Sequence, residues 1–219
     1  MQKIDKSNIR STKYKAWVEG LTGDHPPYSS SQKYVQDIKM SLLACQNGLC
    51  AYTEELLCDR ALLSDDNWED GVYKGDLNRL NLVNGDLEHF DCTLKETQGY
   101  LWDNLFMVNS NINCRVKGTK PVDNILKPDR NTYDPDIYLQ FDDEGNVFIP
   151  NQNLSSGDKD RVEEMIITLG INSNAFKRAR LIKYLKEDLD LGLELREPEE
   201  YPTAWKMAKK NWESNREKS

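Results

Sequence analysis

The sequence predicts an α+β fold that is mainly helical, and two observations support this prediction. Apolar residues recur with helical spacing in three segments near the C-terminus, at residues 158–169, 173–185 and 201–213. Alternating residues on either side of an Asp-Glu-Gly-Asn turn predict a small hairpin over residues 138–149. We therefore expect a mainly helical domain with a small hairpin and C-terminal helices.

The N-terminal part of the chain predicts an arm followed by one helix. Residues 1–30 mix polar and aromatic side chains and contain a Pro26-Pro27 break, which is typical of an N-terminal arm. Apolar residues at three- and four-residue steps predict the first helix over residues 32–46. Asn47-Gly48 supplies the residues that commonly end a helix.

The middle of the chain predicts short strands and a second helix. Residues 49–53 and 85–90 are short and β-prone, so we expect a strand at each. After Trp102 the pattern predicts a turn into a short helix that ends at Lys117-Gly118. Residues 119–157 contain four prolines and are expected to be irregular apart from the hairpin.

The composition is that of a globular protein outside the membrane. Of the 219 residues, 38% are hydrophobic and 30% are charged. No apolar run approaches the roughly 20 residues that cross a bilayer, so we expect no membrane partner. The first residues lack the apolar core of a secretory signal, and five cysteines cannot all pair within one chain. We expect a reduced, cytoplasmic protein.

The net charge of −8 argues against a surface coated in basic residues for non-specific binding of nucleic acids. Residues 51–100 alone carry twelve acidic and four basic residues, a balance of −8. An exposed acidic loop explains most of this charge. A local basic patch elsewhere remains compatible with the composition.

The chain has only two histidines, and their sequence contexts differ. His25 lies beside two prolines in the predicted arm. His89 follows Glu88 at the end of a predicted strand, and a carboxylate beside an imidazole can hold a hard cation while the imidazole acts on water. Asn104 comes fifteen residues after His89, and Asn113 comes nine residues after that.

At these residues the sequence resembles the HNH endonucleases, whose ββα-metal motif has the same three spacings. Residues 46–54, 87–90 and 102–106 read QNGLCAYTE, LEHF and WDNLF. These blocks are similar to those of the PtuB-like HNH nucleases of Septu and retron antiphage defence systems. The resemblance implies an N-terminal arm over residues 1–30, an HNH nuclease domain over 31–187 and a C-terminal helical extension over 188–219.

The resemblance also implies a role for each motif residue. His89 matches the general base that takes a proton from the attacking water, and Asn104 matches the catalytic-motif asparagine that braces the loop around the base. Glu88 and Asn113 match the metal-binding positions, whose hard oxygen ligands suit Mg²⁺ or Mn²⁺. The segment before Lys117-Gly118 is one residue longer than usual, so Cys114 is an alternative to Asn113.

Many HNH relatives carry a structural zinc knuckle made of two Cys-x-x-Cys pairs. The matching positions here hold Cys50, Thr53, Asn109 and Ile112, so one of four thiolates remains. We therefore expect no structural zinc. Packing of Leu49, Tyr52, Phe106 and Ile112 is expected to replace it.

Several further residues are candidates for supporting the site. Glu54 either pairs with an arginine that supports the motif or is an exposed acid. Basic residues that could hold DNA phosphates are Lys117, Lys120, Lys127, Arg130, Arg178, Arg180 and Lys183. Those in the segment 177–186 are alternatively the solvated face of a helix.

The resemblance implies a metal-dependent HNH DNA endonuclease that is the nuclease subunit of a two-component antiphage system with a partner ATPase. Two alternatives are a non-catalytic HNH relative that acts as a binding or assembly module, and an unrelated α+β interaction protein. The intact set of Glu88, His89, Asn104 and Asn113 favours the enzyme.

Overall fold

The computed structural model of the protein describes residues 1–23, 25–76 and 83–217. It confirms an α+β fold with three two-stranded antiparallel sheets and C-terminal helices. The last two residues of the predicted C-terminal extension lie outside the described residues. No helix of the described ranges has the length and apolar character to cross a bilayer.

The chain forms two compact units, which divide it differently from the boundaries expected at residues 30 and 187. The central unit contains Ile4–Ala51 and Leu56–Val122. The C-terminal unit contains Met1–Lys3, Tyr52–Glu55 and Asp123–Ser219. The HNH-like residues Glu88, His89, Asn104 and Asn113 therefore all belong to the central unit.

The arm predicted over residues 1–30 contains a helix that the sequence pattern did not predict. Helix α1 (Thr12–Glu19) begins after Ser11, whose hydroxyl accepts a hydrogen bond from the Tyr14 backbone N–H. Tyr14 is fully buried, and its hydroxyl donates to the Tyr100 carbonyl at 2.7 Å. Tertiary packing of this aromatic side chain fixes the segment. Helix α2 (Val35–Cys45) follows, close to its predicted bounds.

Two hairpins lie in the described part of the central unit. Strands β1 (Trp68–Glu69) and β2 (Val72–Tyr73) form the first, and β3 (Gly85–His89) pairs with β4 (Leu105–Asn109) in the second. Strand β3 matches its prediction. Strand β4 lies where we predicted a turn into a helix; the helix, a π-helix over Ile112–Lys117, begins only after the strand.

The predicted strand at residues 49–53 is instead a set of turns with one isolated bridge between Leu49 and Leu56. The buried side chain of Gln46 takes much of the place of a neighbouring strand beside β4. Its Nε2 donates to the Met107 carbonyl at 2.8 Å, and its Oε1 accepts from the Met107 N–H at 2.9 Å. A side-chain amide thus pairs a strand residue in the way a backbone would.

The C-terminal unit has the predicted hairpin and helices. A short helix α3 (Pro135–Tyr138) leads into strands β5 (Leu139–Asp142) and β6 (Val147–Pro150). Three helices follow, which are α4 (Ser156–Thr168), α5 (Ala175–Asp190) and α6 (Pro202–Arg216). Asn172, in the turn between α4 and α5, binds both the N–H and the carbonyl of Phe148 on β6.

Candidate functional site

The candidate site lies in a strand, strand and helix arrangement of the central unit. His89 is the last residue of β3 and pairs with Leu105, the first residue of β4. Glu88 precedes it and pairs with Phe106. The π-helix follows β4 after only two residues, which places Asn113 and Lys117 on the third element of the arrangement.

Asn104 ties together the two ends of the loop that joins β3 to β4. Its Oδ1 accepts from the Asp91 N–H at 2.8 Å, and its Nδ2 donates to the Asp91 carbonyl at 2.9 Å. The Asn104 carbonyl also accepts from the Phe90 N–H at 2.8 Å. We call these three bonds the Asn104 clasp. Because Asn104 is buried, the clasp is protected from competition with water.

The clasped loop orients His89. The Gly99 carbonyl lies 2.9 Å from His89 Nε2, and a carbonyl oxygen can only accept a hydrogen bond. Nε2 therefore carries the proton in the neutral ring, which leaves the lone pair on Nδ1. Burial is the main influence on the pKa of His89. It lowers that pKa and therefore favours the neutral ring. Within the described ranges, Nδ1 has no hydrogen-bond partner.

Tyr28 is a site residue that the sequence analysis missed. Its ring meets the His89 ring edge-on, with 5.0 Å between centroids. The ammonium of Lys95 in turn lies 5.3 Å from the centroid of the Tyr28 ring. Tyr28 belongs to the predicted arm, far from the motif in sequence, and no spacing in the motif points to it.

Lys117 is buried and pairs with the candidate metal ligand. Its ammonium forms an ion pair with Glu88 Oε1 and donates to the His89 carbonyl at 3.1 Å. Burial raises the pKa of the Glu88 carboxyl, and the nearby Lys117 charge opposes that shift. Lys117 therefore holds the backbone and the side chain at the end of β3.

The two alternatives for the third motif position, Asn113 and Cys114, both lie in the π-helix. The Gly118 N–H donates to the Asn113 carbonyl at 2.9 Å, a bond that spans five residues where an α-helix spans four. Asn113 is half-buried and Cys114 is exposed. Of the two alternatives for the third motif position, the half-buried Asn113 lies nearer the packed interior.

The residue types at the site fit a hard divalent cation. The Glu88 carboxylate and the Asn113 amide both supply oxygen ligands of the kind Mg²⁺ prefers. Within the described ranges, no three His, Cys, Asp or Glu side chains come together as a metal cluster. A cation held by Glu88 and Asn113 would keep most of its coordination positions for water and substrate oxygens, which is the usual behaviour of Mg²⁺.

The positions that match the zinc knuckle retain one thiol contact. The Asn109 N–H donates to Cys50 Sγ at 3.4 Å, so these two positions are neighbours. Ile112 is buried, as are the other three expected packing residues, Leu49, Tyr52 and Phe106. Cys50 is a free thiol, as are the other four cysteines.

Glu54 has neither of the environments expected from the sequence. It is buried in the C-terminal unit and forms an ion pair with the amino group of Met1 at 3.2 Å. Its Oε2 also accepts from the Thr203 N–H at 3.0 Å, in the first turn of α6. The expectation of an exposed acid was therefore wrong. The described direct partners of Glu54 are not arginines, although its charge opposes the lowering of the Arg178 pKa by burial. A carboxylate at a helix N-terminus is favoured by the helix dipole.

Arg178 was a candidate for phosphate binding, and its burial excludes that role. The guanidinium donates to the carbonyls of Ile171 and Asn146 and to Asn172 Oδ1, at 2.9–3.1 Å. Burial lowers the pKa of Arg178 to about 10. The arginine holds the hairpin and the turn before α5 together.

The other basic candidates are divided between the units. Lys120 is exposed in the central unit, whereas Lys117 there is buried. The C-terminal unit contains the exposed Arg180 and Lys183, together with Lys127 and Arg130. Lys127 pairs with Asp129 at 3.0 Å, and Arg130 donates to the Tyr138 hydroxyl at 2.8 Å. Among the described basic candidates, Lys120, Arg180 and Lys183 are therefore the exposed ones.

No protein-family model matches the chain, and no curated protein matches it in sequence. Function is therefore inferred from the geometry of the central unit and from the motif residues themselves.

Proposed function

We propose that the protein is a metal-dependent HNH endonuclease that hydrolyses phosphodiester bonds of DNA. The orientation of His89 carries this proposal. The histidine ends the first strand of a ββα-type arrangement, its Nε2 is held by the Gly99 carbonyl, and Nδ1 keeps its lone pair. A neutral imidazole held in this way is suited to act as a general base.

In the proposed reaction, His89 Nδ1 takes a proton from a water molecule. The water oxygen then forms a bond to phosphorus, and the bond from phosphorus to the 3′ oxygen breaks. A divalent cation bound by Glu88 and Asn113 would supply positive charge to stabilise the developing negative charge on the phosphate. The contacts of the His89 ring with Gly99 and Tyr28 support its orientation for this role.

Asn104 supports the reaction indirectly. The clasp fixes the start and end of the loop that carries Gly99, and Gly99 in turn fixes the His89 ring. Asn104 is therefore a positioning residue in this proposal. Lys120 and Arg180 are the exposed cations we propose for contacts with DNA phosphates.

An acidic protein needs help to approach DNA, because its overall field repels the polyanion. The net charge of −8 thus supports a partner that supplies DNA affinity or control. From the resemblance to PtuB-like nucleases we propose a partner ATPase, antiphage defence as the process and the cytoplasm as the location.

The ion pair of Lys117 with Glu88 favours a second candidate function. An ammonium that permanently neutralised Glu88 would leave no charge there for a metal. The protein would then be a catalytically inactive HNH-fold module for binding or assembly. The two candidates differ in whether the purified protein cleaves DNA.

Plasmid cleavage tests the proposal. The wild-type protein should nick supercoiled DNA when Mg²⁺ or Mn²⁺ is added, and His89→Ala should abolish nicking because the variant lacks the imidazole that Gly99 orients. His25→Ala removes the other histidine and is the matched control, which should cleave at the wild-type rate. Wild-type nicking by a folded His89→Ala protein would exclude the mechanism.

A further inference from the structure

Lys117 is unusual because its side chain is almost completely removed from water. The residue is 1% exposed, and lysines are rarely buried to this extent unless they are paired. Its two described partners are the Glu88 carboxylate and the His89 carbonyl. One of those partners is the residue proposed above to hold a divalent cation.

A bound divalent cation and the Lys117 ammonium would compete for the same negative charge. Both are positive, and like charges a few ångströms apart in a buried site repel strongly. Glu88 is also buried, so its negative charge needs one positive partner for stabilisation. A second positive charge beside the first stabilises it little further. Binding of a cation at Glu88 therefore requires Lys117 to move away.

The structure offers Lys117 a path out. It is the last residue of the π-helix, and Gly118, Thr119 and Lys120 directly after it are all exposed. A side chain at Gly118 would meet no atom within 4 Å, which shows open space at this end of the helix. A long flexible side chain leaving Glu88 can reach water there.

We propose that Lys117 is a resident counter-ion of Glu88, which a divalent cation must displace, and that this competition sets the metal affinity of the site. The inference rests on the proposed function, because it uses the metal position at Glu88. In this role Lys117 regulates the metal affinity of the site, which a purely structural ion pair would not do.

Titration with Mn²⁺ alone tests the competition. Lys117→Met keeps the length of the side chain and removes its charge. The dissociation constant of this variant for Mn²⁺ should therefore be lower than that of the wild type by about tenfold or more. Glu88→Gln should remove the binding. Arg115→Met is the matched control, because Arg115 is an exposed cation on the same helix, and the Mn²⁺ affinity of this variant should stay within about twofold of wild type.

Thermal unfolding gives a second measurement that does not depend on catalysis. Lys117→Met leaves Glu88 buried without its counter-ion, so the melting temperature without metal should fall and the increase on adding Mn²⁺ should exceed that of the wild type. The double variant Glu88→Gln with Lys117→Met has no unpaired charge. It should recover stability and lose the response to Mn²⁺, which keeps the test usable if the single variant folds only with metal.

Equal or weaker Mn²⁺ binding by Lys117→Met would overturn the inference, and so would absence of Mn²⁺ binding from both proteins. Failure of the nuclease proposal gives a different result. In that case Lys117→Met binds Mn²⁺ more tightly than the wild type, yet neither protein nicks plasmid DNA at saturating Mn²⁺.

Discussion

Buried charges distinguish this protein at the scale of single residues. Charged residues are usually exposed, yet Glu54, Lys117 and Arg178 are all buried and all have partners. Glu54 binds Thr203 across 149 residues of sequence, and Lys117 binds the His89 carbonyl across 28. Such partners depend on the tertiary fold, so no local pattern predicts them.

The cysteines provide a prediction at the same scale. Cys114 is exposed, whereas Cys58 is buried, and burial raises the pKa of its thiol to about 11. The thiolate is the reactive form, so near neutral pH Cys58 should hold about a hundred times less thiolate than an ordinary cysteine. Iodoacetamide followed by peptide mapping should show Cys114 modified well before Cys58.

Unfolding the protein before alkylation is the control, since it should make the alkylation rates of Cys114 and Cys58 similar. Equal rates in the folded protein would contradict the described burial of Cys58.

Among the elements, the spacing of apolar residues correctly predicted the helices and strands that bury one face. The hairpin of β5 and β6 and the helices α4, α5 and α6 all follow the predicted segments. Strand β4 was missed because Leu105, Phe106, Met107 and Val108 are all buried, so the strand lacks the alternation that distinguishes it from a helix. The π-helix was not recognised as such, because one additional residue in the helical turn changes the spacing of its residues without changing their composition.

The π-helix makes a prediction that separates its two candidate ligands. Asn113 is half-buried and Cys114 is exposed, so Asn113→Ala should raise the Mg²⁺ concentration needed for cleavage while Cys114→Ser should have little effect. The measurement is the plasmid nicking rate as a function of Mg²⁺ concentration. The reverse pattern would assign the third motif position to Cys114 and favour a softer metal such as Mn²⁺.

The residues that resemble an HNH motif were selected by their spacing in the sequence, whereas the contacts that hold them could not be predicted from it. The spacing of His89, Asn104 and Asn113 was visible along the chain, and the structure places all three on one strand, strand and helix arrangement. Tyr28 and Gly99, which contact the His89 ring, lie outside the motif. Their positions follow from packing of the N-terminal residues and from the loop that Asn104 closes.

At the scale of the whole molecule, stability is expected to come from packing without zinc. Ile112 occupies a zinc-knuckle position and is 3% exposed. Ile112→Ala should destabilise the protein by about 2–5 kcal/mol, because it leaves a cavity in a packed core. Chemical denaturation of the variant and the wild type measures this difference.

A metal chelator gives the complementary measurement. EDTA should leave the melting temperature of the wild-type protein unchanged, since the knuckle positions keep only Cys50 as a thiolate ligand. One zinc per chain by elemental analysis, together with a large drop in melting temperature on chelation, would show that the knuckle positions were assigned wrongly.

The Asn104 clasp has a consequence for amide hydrogen exchange. The amide protons of Phe90 and Asp91 are both held by Asn104, one by its backbone and one by its side chain. They become free to exchange with deuterium together, when the stem of the loop opens as a unit. The same opening would release Gly99 from His89, so the exchange rate of these two protons reports how often the base loses its orientation.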